Sequence, residues 1–138
     1  MEDRPAVQVK GARILVVDDD PEILELLRDA LRLAGYEPEA TTDSVAAMAG
    51  LAAGGYDLVL SDIMMPEVSG LRLLSAAKRA SPGTEVILLT GHPTPERALE
   101  AARGGAFACL VKPFRIDELL ARVQQALAKQ HSGSAASP

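Results

Sequence analysis

Residues 12–20 read ARILVVDDD, a run in which the apolar or β-favouring residues Ile14 to Val17 stop abruptly on Asp18, Asp19 and Asp20. An apolar run this short, without polar alternation, is the pattern of a strand buried on both faces, as in parallel sheets covered by helices. Asp20 followed by Pro21 reads as a helix start, with Asp as N-cap and Pro at the first helical position. Ile23, Leu24, Leu26, Leu27, Ala30, Leu31 and Ala34 follow at helical spacing, and Gly35 closes the segment. The unit is strand, acidic turn, helix.

Outward from this stretch the unit recurs with different punctuation. Tyr36 to Thr41 reads as a short polar strand whose Pro38 places it at a sheet edge. Asp43 or Ser44 caps an Ala-rich helix to about Ala53, closed by Gly54 and Gly55. DLVLS, Asp57 to Ser61, is a second buried strand and also runs into a carboxylate, Asp62. Pro66 and Gly70 bracket a loop before a helix from Leu71 to Ala80, which Ser81, Pro82 and Gly83 end. EVILLT, Glu85 to Thr90, is the third buried strand. A weakly apolar, Ala-rich helix from about Pro95 to Arg103 precedes a last strand, Phe107 to Val111, which ends on Lys112 and Pro113. The final amphipathic helix runs from Asp117 to about Lys129, and HSGSAASP (131–138) reads as a disordered tail or the start of a linker. Alternating strands and helices predict an open α/β sheet with helices on both faces. The expected divisions are an N-terminal extension (1–11), one domain (12–130) and the tail (131–138).

Composition narrows the function classes. The 138 residues suit one domain, and a formal net charge of −5 provides no basic field for nucleic acid or anionic lipid. No run approaches the roughly 20 apolar residues of a membrane span, and MEDRPAVQVKGAR lacks a signal-peptide core. A lone Cys109 makes no internal disulfide and agrees with a reducing, cytoplasmic location.

In doubly wound sheets, ligands bind beyond the carboxyl ends of the strands. Those ends here carry Asp18, Asp19, Asp62, Thr90 and Lys112. Three carboxylates gathered on one rim repel each other unless a cation joins them. Hard oxygen ligands with room for water suit a magnesium-type ion, and a carboxylate, a divalent ion, a hydroxyl and an ammonium together make a phosphoryl-transfer site.

VVDDD, SDIMMPEVSG, LLTG and VKPF, in this order and on these strands, resemble the receiver domain of bacterial two-component response regulators. The resemblance covers roughly Ala12 to Ala128. It implies a flavodoxin-like, doubly wound (βα)5 fold with a five-stranded parallel sheet in the order 2-1-3-4-5. It further implies that Asp62 accepts a phosphoryl group from a histidine kinase or histidine phosphotransfer protein, in a reaction that needs Mg2+, or Mn2+ in its place. Asp19 and Asp62 would ligate the metal, Asp18 would act through bound water, and Met64 would offer its backbone carbonyl. Thr90 and Lys112 would bind the phosphoryl oxygens, with Thr90 drawn inward as the switch and Pro113 in the cis form. Catalysis would be limited to the domain's own phosphorylation and dephosphorylation. The face of the fourth helix, last strand and final helix would serve a homodimer or an effector, with no nucleic acid or membrane bound by this domain.

One departure concerns output, and two flanking positions concern tuning. Cys109 stands three residues before Lys112, where many relatives carry an aromatic switch residue; a small buried core thiol is the plainer reading. Met64 and His92, each two residues past a site residue, are placed to hinder or orient attacking water, or are an exposed loop Met and a solvated His. Asp20 fits a helix N-cap. Two other functions compete. A Mg2+-dependent phosphohydrolase with an Asp nucleophile usually carries a second Asp where this chain has Met64, and needs a cap for which there is no room. A flavodoxin-like FMN protein needs a phosphate-binding loop where three aspartates stand.

Overall fold

The computed structural model of the chain describes residues 11–136, and side-chain surroundings as far as residue 130. Strands and helices alternate: β1 (Arg13–Val17), α1 (Pro21–Leu33), β2 (Glu37–Thr41), α2 (Ser44–Ala53), β3 (Leu58–Asp62), α3 (Gly70–Ala80), β4 (Glu85–Thr90), α4 (Pro95–Gly104), β5 (Ala108–Val111) and α5 (Ile116–Ala136). The sheet has the order β2-β1-β3-β4-β5 and every pairing is parallel. The chain therefore winds outward from β1 in both directions, and the order reverses between β1 and β3, where the two acidic strand ends lie side by side.

Each face of the sheet buries its own apolar cluster. Ile14, Val16, Leu58, Leu60, Ile87 and Leu89 point to one side, against α1 and α5. Leu15, Val17, Val59, Val86 and Leu88 point to the other, against α2, α3 and α4. The period-2 alternation of strand side chains produces this division, and it explains why the central strands are continuously apolar. β2 has no fully buried residue and lies at the edge, as Pro38 and its polar composition predict.

Caps set the helix starts. Asp20 accepts from the Glu22 N–H, Asp43 from those of Val45 and Ala46, Ser69 from Arg72, and Thr94 from Arg97. Gly105 ends α4 at φ 91°, a left-handed conformation that glycine adopts without the Cβ penalty. α4 buries only Ala101, in keeping with its Ala-rich sequence. No helix among the described residues is long and apolar enough to cross a membrane.

The structure shifts several expected element ends, and three of the shifts are informative. Gly70 opens α3, because Ser69 caps it and places the glycine inside the first turn. Asp62 is the last residue of β3 and pairs with Leu89, so it is a strand residue held by the ladder. α5 continues past Lys129 to Ala136, so the backbone of 131–136 is helical where an irregular tail was expected. Pro138 is the first proline after Pro113, so nothing before it removes a donor from the helical ladder. The expected extension (1–11) lies outside the described residues except for Gly11.

The end of the sheet away from the acidic rim is closed by polar ties. Gln130 Nε2 donates to the carbonyls of Asp57 and Gly83, both at 3.1 Å, pinning α5 to the starts of β3 and β4. The buried Glu85 carboxylate lies 3.9 Å from Lys78 Nζ and 3.7 Å from Lys129 Nζ, on helices from opposite faces.

Leu60, fully buried on β3, and Leu26, 53% exposed on α1, test the assignment of the core. Leu60→Ala is expected to destabilise the chain by about 3 kcal/mol, and Leu26→Ala by less than about 1 kcal/mol. Urea unfolding followed by circular dichroism measures both, since the chain has no Trp.

Candidate functional site

The carboxyl ends of β1 and β3 bring Asp18, Asp19 and Asp62 together, with one carboxylate oxygen of each lying within 4.8 Å of the others. Asp18 is fully buried and Asp62 nearly so, while Asp19 faces solvent. Lys112, following β5, reaches across the rim: its Nζ lies 2.9 Å from Asp18 Oδ2 and 3.2 Å from Asp62 Oδ2. The Asp20 N–H donates to the other Asp18 oxygen at 2.9 Å, so Asp18 is held from two sides.

Charge balance governs these groups. Burial raises the pKa of Asp62 above the usual carboxylate range, the neighbouring Asp18 raises it further, and Lys112 offsets only part of this. Burial alone would lower the pKa of Lys112, but its bonds to Asp18 and Asp62 outweigh that and raise it. The ammonium is therefore firmly charged, and the carboxylates still outnumber it.

Thr90 ends β4, beside Asp62 on the adjacent strand, and is already buried. Its Oγ1 accepts from the His92 N–H at 3.0 Å, which leaves the hydroxyl hydrogen free for an acceptor at the rim. The expected inward displacement of Thr90 is thus not a move from solvent into the fold. The side chain of His92 is exposed, and its carbonyl accepts from the Arg97 guanidinium. Met64 is 48% exposed and lines an open groove of about 460 Å3 with Met65, Pro66, Leu71 and Arg97. Cys109 lies within β5, half-buried beside the cluster under α2, α3 and α4, and burial pushes its thiol pKa up. Lys112–Pro113 is cis.

Features with weak sequence signals complete the site. The Gly70 N–H donates to the Ile63 carbonyl at 2.8 Å, and a Cβ at Gly70 would overlap the Asp62 carbonyl oxygen and lie 2.9 Å from Ile63 Cα. The loop between β3 and α3 turns at Glu67, the one non-glycine residue with positive φ (73°) among the described residues, where the Val68 N–H donates to the Pro66 carbonyl at 2.8 Å. Ser44, from α2, bonds to both sides of this turn. Gly70 is legible as a loop glycine, but the backbone it touches is not; Ser44 carries no sequence signal beyond its hydroxyl.

The family model for the response regulator receiver domain matches residues 14–124. The chain belongs to the response regulator receiver domain family. It is 38% identical over 119 residues to the DNA-binding transcriptional regulator NtrC of Rhizobium meliloti, covering 86% of this chain and 25% of that protein. It is also 36% identical over 121 residues to the transcriptional regulatory protein TcrA of Mycobacterium tuberculosis, covering 88% of this chain and 48% of that one. The chain thus spans about a quarter to a half of the length of these curated relatives. Among solved structures, a CheY-like receiver domain protein from Methanospirillum hungatei superposes with a TM-score of 0.85 at 32% identity, over 88% of this chain and 98% of that one. The receiver domain of an HD domain-containing protein from Pseudomonas fluorescens gives 0.83 at 35% identity, over 89% and 99%. As a receiver domain the chain is a phosphorylation-controlled signalling switch, and the phosphohydrolase reading is not favoured.

A carboxyl whose folded-state pKa lies above its unfolded value favours the fold most when protonated, and that advantage is lost as pH rises through the folded value. Asp62→Asn is therefore expected to raise the thermal midpoint of the metal-free receiver at pH 7, with the gain shrinking as pH falls towards about 4, near the unfolded carboxyl pKa. Thermal melts across that range check it. Gly70→Ala is expected to destabilise by about 2 kcal/mol or more, since the backbone of Asp62 and Ile63 must give way. Heteronuclear NMR would show the largest shifts at residues 62, 63 and 70.

Proposed function

We propose that Asp62 is the phosphoacceptor of this receiver, supplied by a sensor histidine kinase or histidine phosphotransfer protein. The observation that carries this reading is the lysine bridge: Lys112 touches both Asp18 and Asp62 and still leaves the carboxylates in excess. Three carboxylate oxygens so close together are hard donors with uncompensated charge, which fits Mg2+, or Mn2+ in its place. Asp19, Asp62 and the Met64 carbonyl would hold the ion, with Asp18 acting through water. When bound, the ion supplies positive charge against the phosphoryl oxygens.

The rest follows from the chain's own groups. An Asp62 carboxylate oxygen attacks phosphorus, the bond from phosphorus to the donor imidazole nitrogen breaks, and its electron pair stays on that nitrogen. The product carries about −2 on the phosphoryl oxygens where the carboxylate carried −1. Lys112 moves from carboxylates to phosphoryl oxygens with little displacement, because it already lies 3.2 Å from Asp62. Thr90 donates its free hydroxyl hydrogen. Met64 and His92, exposed at the rim, tune the access of attacking water. Catalysis is limited to the domain's own phosphorylation and dephosphorylation.

The receiver unit spans residues 12–130 and works in the cytoplasm, in keeping with its single unpaired thiol. Its output face is α4, β5 and α5, where Leu99 and Val111 are each about half exposed, and it meets a second copy or an effector protein rather than nucleic acid or membrane. Cys109 has no ring to swing, so the change at Thr90 passes through the β4 and β5 backbone, joined where the Lys112 N–H donates to the Thr90 carbonyl at 2.8 Å.

Incubation with acetyl phosphate and Mg2+ is expected to add one phosphoryl group, read by intact mass. Labelling should vanish with EDTA and in Asp62→Asn. Equal labelling of the Asn variant would sink the assignment, and turnover of a generic phosphomonoester would revive the phosphohydrolase. Phosphotransfer profiling against a panel of histidine kinases would identify the donor.

A further inference from the structure

Ser44 lies 18 residues before Asp62 in the chain, yet its side chain is committed to the loop that follows Asp62. It is 3% exposed. Its hydroxyl donates to the Pro66 carbonyl at 2.7 Å and accepts from the Val68 N–H at 3.2 Å. The start of α2 does not need this hydroxyl, because the Asp43 carboxylate already caps Val45 and Ala46. Both hydrogen-bonding functions of Ser44 are instead spent on the two residues flanking Glu67.

Glu67 is the strained point of the loop. At φ 73°, with the Val68 N–H closing onto the Pro66 carbonyl, it occupies a tight turn that side-chain-bearing residues rarely adopt. Such a conformation persists only where its surroundings over-determine it. Ser44 supplies that restraint, holding the carbonyl before Glu67 and the N–H after it. The loop is fixed at its other end by Gly70, packed on the Asp62 carbonyl. Met64 lies two residues before Pro66, within the span so held.

We propose that Ser44 is a positioning residue of the phosphorylation site, straddling the strained turn at Glu67 and thereby fixing the backbone from Met64 to Pro66. This rests on the reading that Met64 contributes its carbonyl to the metal. A buried hydroxyl with only a stabilising role would shift the thermal midpoint without changing ion affinity selectively.

Three variants of the full chain separate these roles: Ser44→Ala, Glu67→Gly and the double variant. Calorimetric titration with Mg2+ is expected to show affinity falling about tenfold in Ser44→Ala, the scale of losses when support for a ligand is removed. Glycine relaxes the turn, so the double variant should recover to within about twofold of Glu67→Gly. Amide hydrogen exchange in metal-free protein should show Val68 exchanging faster in Ser44→Ala, and protection restored in the double variant. Mg2+ affinity of Ser44→Ala within twofold of the unaltered chain overturns the proposal. So does an equal loss in the Glu67→Gly background, which would mean that Ser44 acts elsewhere. If Ser44→Ala failed to fold, unchanged Val68 protection in Ser44→Gly and Ser44→Cys, read where each is folded, would overturn it equally. Failure of the unaltered chain to bind Mg2+ would sink the metal reading alone, and Val68 exchange would still decide whether Ser44 holds the turn.

Discussion

Like charges that the fold forces together are the constraint on which the rest of this receiver depends. Asp18 directly follows β1 and Asp62 ends β3, and the ladder between the two strands runs to Val17 and Ser61, the residues just before them, so the two carboxylates have little freedom to separate. Lys112 answers part of the repulsion from a third strand end. The site is thus built with a standing deficit of positive charge, and a deficit held by a rigid sheet is a preorganised demand for a cation. Pre-formed electrostatics of this kind need little reorganisation when charge arrives.

The supports of the site are unequal. Asp18 is fixed by its place at the end of a buried strand, the Asp20 N–H and Lys112, whereas the loop after β3 depends on side-chain and steric contacts from other elements. Rigidity in that loop comes from Ser44 on one flank and the missing Cβ of Gly70 on the other. α4, by contrast, has one buried residue and its N-terminal region is tied through Arg97 to the His92 carbonyl. Low burial marks a segment of low local stability, and this one lies directly after the strand that ends in Thr90.

Much of this was legible in the sequence because the chemistry coincides with the punctuation. Apolar runs stopping on Asp18, Asp62, Thr90 and Lys112 report both a buried parallel strand and the residue delivered to its rim, so fold and site emerge together. Asp20 was equally readable, since Asp before Pro has a strong local meaning. What escaped was non-local or conformational. Ser44 is a small polar residue in a helix start, and its partners lie 22 and 24 residues away. Glu67 shows no sign of positive φ, because its side chain is not one that favours it. Gly70 announces a turn, but not that Asp62's own carbonyl fills the space where its Cβ would be. The end of α5 was misplaced because polar small residues suggest disorder, while helical hydrogen bonding continues until something interrupts it.

The two ends of the sheet differ in what they can sense. Register along β3 and β4 sets Glu85 opposite Leu58, four residues from Asp62, which is roughly 13 Å at about 3.3 Å per residue. Glu85 is buried there between Lys78 and Lys129, so its charge is met locally. Gln130, a neutral amide, anchors α5 at that far end to the carbonyls of Asp57 and Gly83. One pole therefore carries unanswered negative charge while the other has its charge already met, which gives the molecule a fixed base against which any rearrangement at the rim is measured.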